Sequence, residues 1–390
     1  MKILLVHNYY RGFGGENNVF EAERDLLIQQ GHDVACFTRT NTDSVSTAQQ
    51  IQAGLGYFYN FQSKVEFENL IKQFKPDIVH IHNLFPIISP SILDACVALH
   101  VPTVMTLHNY RLICPNALLL RNNKACEECV DKSFAYPAIQ HNCYAESSLR
   151  SANLALANFV HAKSHVWQDK ISAFITFSEF SKNLFLKSHL KLSPEQFYIK
   201  PNFVADLGYS SEKSDYFLYV GRLSEEKGIR CLLEAFSASN FLLKIIGDGP
   251  LKDLVIASSQ QVSNILFLGP QPHENIYAEM KQAIALVLPS FCYEGCSLSM
   301  LEAFSTGTPV IASKHGTFPS FIKNEVNGLL FETASVESLL GQLDRLNDLS
   351  AQKILSDKAR KTYEALYTPE ASYQKLIQIY DEVICKKADT

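Results

Sequence analysis

Two carboxylates, Glu294 and Glu302, stand with seven residues between them in the run Tyr293, Glu294, Gly295, Cys296, Ser297, Leu298, Ser299, Met300, Leu301, Glu302. Residues 283–290 before them are almost wholly apolar, the pattern of a strand covered on both faces in a parallel sheet. Ser297 is a good N-cap and Gly307, ahead of Pro309, a good stop, so the sequence predicts a helix between them. The free N–H groups at the start of such a helix, around Ser297, Leu298 and Ser299, form an anion site. One carboxylate then lies on the loop at the helix mouth, and the other about a turn and a half inside, beside a place suited to a phosphate. Spacing alone reads equally well as a solvated loop acid and a helix-surface acid.

Two cations shift that balance. A strand is expected over residues 216–220, and it leads into Gly221, Arg222, Leu223, Ser224, Glu225, Glu226, Lys227 and Gly228. Arginine offers a planar fork and lysine a point charge. Together they can neutralise a departing diphosphate without a divalent ion, although pairing with Glu225 and Glu226 is the plainer use of the same residues. Near the N-terminus, Gly12, Gly14 and Gly15 follow the first expected strand and would let backbone approach a phosphate closely. The dinucleotide fingerprint G-x-G-x-x-G fails there, because Asn17 stands where the third glycine belongs, which disfavours NAD. His108 lies just past the strand expected over residues 103–107, where a lone histidine is commonly a satisfied structural residue. His80 and His82 share one strand face and look like a metal pair; with no third ligand near them in sequence, packing is the expectation.

The elements that must hold these residues alternate throughout. Apolar runs at residues 1–6, 33–37, 77–82, 103–107 and 173–177 read as strands of one sheet, and those at 217–220, 242–246, 265–268, 285–288 and 310–312 as strands of a second. With 390 residues the chain exceeds the roughly 250–300 at which single cores divide. Two doubly wound α/β domains are expected, with ligands at the carboxyl ends of their strands. The boundary is placed after Asn202, ahead of a polar stretch over residues 209–215.

Net charge is −5. Residues 1–200 hold 18 Lys and Arg against 17 Asp and Glu, and the remainder 17 against 23, so the halves carry +1 and −6. Neither is the basic footprint of a nucleic-acid binder. No run of 18 or more apolar residues and no signal peptide is visible, so a cytoplasmic protein is expected, with peripheral contact at the inner face of a membrane the companion reading. Residues 149–166 carry Leu154, Leu156, Phe159 and Val160 among alanines; that pattern serves a core helix or an amphipathic surface helix. Of ten cysteines, four fall within thirty residues: Cys114, Cys126 and Cys129 as C-x2-C, and Cys143. A structural zinc would suit such a quartet and would order residues 114–143 without doing chemistry. Because the outer two stand alone and are not a second C-x2-C, buried free thiols remain the competing reading. The other six read as small buried hydrophobes.

In this order and at these intervals the segments resemble the retaining glycosyltransferases of group 1, or family 4, which share the GT-B fold. Gly221, Arg222, Leu223, Lys227 and Gly228 are similar to that family's phosphate-binding segment, and Gly247, Asp248 and Gly249 to its next strand-end loop. Glu294 and Glu302 are similar to its paired glutamates, and Gly307, Thr308 and Pro309 and then Asn327 and Gly328 continue the likeness. The resemblance covers nearly the whole chain. It implies an acceptor-side domain over residues 1–202 that includes the cysteine insert, a donor domain over 203–368, and a crossover helix over 369–390 returning to the first. It further implies a UDP- or GDP-sugar donor held in an interdomain cleft, no catalytic metal, and an acceptor hydroxyl on a glycan or lipid-linked molecule of bacterial surface-glycan assembly. The roles carried over are Arg222 and Lys227 on the leaving diphosphate, Glu294 on the sugar and Glu302 on the ribose. His108 is carried over as a donor to the transferred sugar, and Gly14 and Gly15 match the loop that meets donor phosphates or acceptor. Three other classes stay open: a glycoside hydrolase, which needs a raised-pKa acid facing a nucleophile and not a cationic loop, a sugar-nucleotide epimerase of related fold, and a non-catalytic sugar-nucleotide-binding subunit.

Overall fold

The structure is a computed structural model that describes residues 1–10, 15–40 and 56–388. Strands are numbered in chain order. The first sheet contains β1 (Lys2–Tyr9), β2 (Asp33–Thr40), β3 (Ile78–Ile81), β4 (Thr103–Thr106), β7 (Ala173–Thr176) and β8 (Phe197–Ile199), with the hairpin β5 (Leu120–Arg121) and β6 (Lys124–Ala125) apart from it. The second contains β9 (Phe217–Val220), β10 (Leu243–Ile246), β11 (Ile265–Gly269), β12 (Leu286–Leu288), β13 (Val310–Ser313) and β14 (Gly328–Phe331). Both large sheets are wholly parallel. Their orders are β2-β1-β3-β4-β7-β8 and β11-β10-β9-β12-β13-β14. The central strands β3, β4, β7, β12 and β13 are buried at every position, as the apolar runs require of strands sandwiched between helices. Each sheet is thus doubly wound and parallel, as the alternating apolar runs predict.

Each sheet has one strand more than the apolar runs indicate. β8 is three residues, following the 3-10 turn Pro194–Gln196, and β14 is four residues that open on a glycine, so neither presents a long hydrophobic signal. The helices begin where side chains accept from exposed N–H groups: Asn60 for Phe61–Phe74, Ser178 for Glu179–Leu186 and Ser335 for Val336–Asp344, each replacing a hydrogen bond that the first turn lacks.

The chain divides into two compact units. One comprises Met1–Leu119, Cys126–Pro201 and Tyr373–Thr390, the other Leu120–Ala125 and Asn202–Ser372. The division therefore falls between Pro201 and Asn202, one residue earlier than expected, and assigns the small hairpin to the second unit. The core of the first unit joins Ile3, Leu5, Ile78, Val104 and Ile175 of its sheet to Leu376, Ile379, Tyr380 and Val383 of the long helix Pro369–Ala388. That of the second packs Phe217, Tyr219, Ile245, Val287 and Ile311 against Leu232, Leu233 and Phe236 of the helix Ile229–Ser237 and against Leu339 and Leu343.

Candidate functional site

In the second unit, β9 has β10 on one side and β12 on the other, so the connections leaving it and β12 part in opposite directions and open a crevice at their carboxyl ends. Three loops fill that end, and close backbone contact locks them. Leu223 N–H donates to Asp248 O at 2.9 Å, Gly221 N–H to Ile246 O at 3.1 Å, and Phe291 N–H to Glu226 O at 2.8 Å. Two glycines are obligatory there. Gly228 has φ +73° and a Cβ on it would lie 2.0 Å from Pro289 O; Gly247 has φ +151° and a Cβ would lie 1.9 Å from Gly221 O, distances no side chain tolerates.

Glu294 follows β12 on its loop. Its Oε1 accepts from Lys227 Nζ at 2.6 Å and from Ser290 Oγ at 2.7 Å, while Thr317 Oγ1 donates to its backbone carbonyl at 2.7 Å. Burial opposes the charge of this carboxyl, but Lys227 and the Ser290 hydroxyl outweigh burial and hold it below the usual range. Lys227 thus pairs with Glu294, not with Glu225 or Glu226; Glu225 is taken instead by Arg230 at 2.8 Å. Arg222 is exposed and makes no ion pair among the described residues. Glu302 lies within the helix Leu298–Ser305, and burial raises its carboxyl to about 7 with the Tyr277 hydroxyl, 3.4 Å away, lowering it in part. That helix is capped by Ser297, whose Oγ accepts from Met300 N–H at 3.4 Å and stands 3.0 Å from Ser299 Oγ. Asp248 is exposed, its Oδ1 accepting from Gly249 N–H at 2.8 Å. One cation, two carboxylates and a helix N-terminus therefore share the carboxyl edge of one sheet, with Arg222 at its rim.

In the first unit the equivalent crevice lies at β1 and β3. Gly14 falls outside the described residues, and Gly15 opens the helix Gly15–Gln29. Glu16 is half-buried, its desolvation raising its carboxyl to about 8, and its Oε2 accepts from Asn109 Nδ2 at 3.3 Å. His108 lies past β4, with Nε2 3.0 Å from His82 Nδ1. His80 and His82 do have a third companion, Glu23, far from them in sequence: the Glu23 carboxylate lies 3.1 Å from His80 and 3.2 Å from His82. Among the described residues these three form the group whose ligand atoms approach within 4.8 Å of one another.

Comparison with known proteins decides the family. Residues 208–362 match the model for glycosyl transferases group 1, and residues 13–205 that for glycosyltransferase family 4. The chain belongs to these glycosyltransferases. An uncharacterized glycosyltransferase of Methanocaldococcus jannaschii is 24% identical over 400 residues, covering 98% of this chain and 99% of the relative. The O-antigen chain mannosyltransferase C of Escherichia coli is 26% identical over 179 residues, 45% of this chain; the match spans about half of that relative's length, 48%. The fold matches that of HepE from Anabaena, crystallised with UDP, at a TM-score of 0.68 and 16% identity over 98% of this chain and 100% of that one.

The remaining sequence-derived residues of the glycosyltransferase are the cysteines. None of the four forms a disulfide among the described residues; Cys114 and Cys129 are buried, Cys126 and Cys143 half-buried. Cys129 has Cys114, Cys126 and Cys143 as electrostatic neighbours. Backbone amides of Asn116, Ala117 and Leu119 face the Cys114 sulfur, and that of Ala138 faces Cys129. The four sulfurs are nonetheless spread more widely than the 4.8 Å grouping of Glu23, His80 and His82. No helix among the described residues is long and apolar enough to cross a membrane. Ser290, Thr317, Tyr277, Glu23 and Lys200 were not legible as site residues. Thr317, Tyr277, Glu23 and Lys200 reach their partners across the fold; Ser290, at the end of an apolar strand and four residues before its partner Glu294, had a positional signal.

Proposed function

We propose that this glycosyltransferase moves a hexose from a UDP- or GDP-sugar to an acceptor hydroxyl with retention of anomeric configuration. The observation that carries the reading is the meeting of Lys227, Glu294 and the N-terminus of the helix Leu298–Ser305 at the β9/β12 crevice. A diphosphate is held there by Lys227, by Arg222 reaching in from the rim, and by N–H groups of Leu298 and Ser299, which stabilise the charge that grows as the sugar departs. Gly247 and Asp248 border the nucleotide. Glu294 has Oε1 fixed by Lys227 and Ser290, leaving Oε2 to accept from sugar hydroxyls and to favour the oxocarbenium-like centre. Glu302 takes the ribose hydroxyls, and His108 of the first unit, with Gly14 and Gly15, contacts substrate. The leaving phosphate takes the acceptor's proton, so no separate base is required.

The acceptor is a lipid-linked or polysaccharide glycan of bacterial surface-glycan assembly, a reading supported by the E. coli relative's name, O-antigen chain mannosyltransferase C. The UDP in the HepE crystal structure supports the nucleotide class. The protein acts in the cytoplasm at the inner face of the membrane, with Leu149, Leu156 and Val160, exposed by 80%, 46% and 41%, supporting peripheral contact. Cys114, Cys126, Cys129 and Cys143 hold a structural zinc; the neighbourhood of Cys114, Cys126 and Cys143 around Cys129 supports that reading, and the metal would supply the charge that makes these buried thiols thiolates. Elemental analysis of the purified protein is expected to give one zinc per chain, lost in Cys126→Ser with Cys129→Ser; a metal-free wild type of full stability overturns it.

The deciding experiment is calorimetry of UDP, GDP, ADP and their sugars with and without magnesium, on wild type and Arg222→Ala. One nucleotide is expected to bind without metal and to weaken at least tenfold in the variant. Absence of binding by all of them overturns the donor site.

A further inference from the structure

Behind His108 runs a line of buried groups that the donor-site reading does not use. Lys200, one residue past β8, donates from Nζ to Glu23 Oε2 at 2.8 Å. Glu23 Oε1 lies 3.2 Å from His82 Nε2, and His82 Nδ1 lies 3.0 Å from His108 Nε2. Glu23, His82 and Lys200 are exposed by only 2%, 2% and 4%. The spacing of Glu23, His80 and His82 resembles a cation site, but the Lys200 ammonium already supplies the positive charge, and a divalent ion beside it would be repelled strongly in so buried a place. His80 is satisfied elsewhere, by the Tyr380 and Thr106 hydroxyls at 2.7 Å each. Glu23 Oε1 also stands 3.1 Å from His80 Nδ1, but that nitrogen already has the Tyr380 hydroxyl; His82 Nε2 makes no other hydrogen bond, and its 3.2 Å approach to Glu23 Oε1 is the contact open to it.

The proton positions follow from this arrangement. A carboxylate only accepts, so the proton on His82 sits on Nε2. His82 is neutral, burial and His80 lowering it to about 4, and His108 is held well below the ordinary imidazole range by burial and by His82. A neutral ring carries one proton, which leaves His82 Nδ1 as a bare acceptor. The proton of His108 must then sit on Nε2, facing His82. We propose that Glu23, charge-balanced by Lys200, and His82 are positioning residues that fix His108 as the Nε2–H tautomer, so that its Nδ1 meets the substrate as a hydrogen-bond acceptor. The inference rests on the reading of His108 as a substrate contact and refines it, since the resemblance alone casts His108 as a donor.

The test is long-range proton–nitrogen NMR on the full chain labelled with 15N-histidine, with His108→Gln identifying its signals. At pH 7 His108 is expected to be neutral and protonated on Nε2; a charged ring or an Nδ1–H tautomer overturns the proposal. In Glu23→Gln combined with Lys200→Met, which removes both buried charges together, His108 is expected to become a mixture of tautomers. Turnover should then fall roughly tenfold or more at near-constant KM. A folded double variant with the wild-type tautomer and turnover overturns the proposal. If the wild-type tautomer is as expected but His108→Gln retains full activity, the relay stands and the substrate contact falls.

Discussion

Glu294 and Lys227 illustrate how one ion pair serves two roles. Removing Lys227 alone leaves a buried carboxylate without its cation, a change costing on the order of 3 kcal/mol, whereas removing both charges costs less. Chemical denaturation is therefore expected to rank Lys227→Met below the double variant Lys227→Met, Glu294→Gln in stability, while the double variant is inactive; equal stabilities would mean the pair contributes nothing to the fold. Glu302 yields a prediction with a direction in pH. Its carboxyl ionises near 4.5 in the unfolded chain and, held up by burial, at about 7 in the folded one. The folded state is thus unpenalised below 4.5, loses stability as pH rises through 7, and above that bears a cost on the order of 3 kcal/mol. Glu302→Gln is expected to raise Tm at pH 8 in nucleotide-free protein and to leave it nearly unchanged at pH 4.5. An unchanged Tm at pH 8 would contradict a carboxyl so raised.

At the scale of elements, the loops leaving β9 and β10 depend on glycine for space. Gly228→Ala forces a Cβ to 2.0 Å from Pro289 O and is expected to cost at least about 3 kcal/mol in urea unfolding. Gly341, inside the helix Val336–Asp344, has nothing within 4 Å of its added Cβ, so Gly341→Ala is expected to stabilise by roughly 0.5–1 kcal/mol. If both changes cost the same, the crowding at Gly228 is not what fixes the loop. Most of this level is legible in sequence, because a strand buried on both faces must be apolar throughout, as residues 285–288 and 310–312 are. Ser297 likewise announces the helix it caps. β8 escapes because three residues beside a 3-10 turn carry too little period. The partners of the site escape for another reason. Lys227 meets Glu294 across 67 residues and Lys200 meets Glu23 across 177; sequence shows which charges exist but not which loops the sheet order brings together.

For the whole molecule, the buried histidines of the first unit and Glu302 of the second respond oppositely to acid. In the first unit His7 and His82 are lowered to about 4, by burial foremost, and His108 lies well below its usual range. Neutral imidazoles that would ionise near 6.5 once unfolded contribute stability present above pH 6.5 and lost as pH falls through about 4. Glu302 in the second unit acts in reverse over the interval from 7 to 4.5. Hydrogen exchange of strand amides is expected to show β1, β3 and β4 losing protection between pH 6.5 and 4.5 while β9 and β12 hold or gain it. Parallel loss in both sheets would show that the buried histidines do not govern acid stability.

The first sheet's core is closed by Leu376, Ile379, Tyr380 and Val383. During synthesis, all six of its strands have emerged by residue 199, yet the apolar surface those four side chains cover stays open until the distal helix is made. At about 5–20 residues per second that interval lasts roughly 10–40 s, during which the second unit, continuous from Asn202 to Ser372 apart from its small hairpin, is translated and free to fold. The core of the half that is made first is therefore completed last, the reverse of the order in which the two sheets are translated.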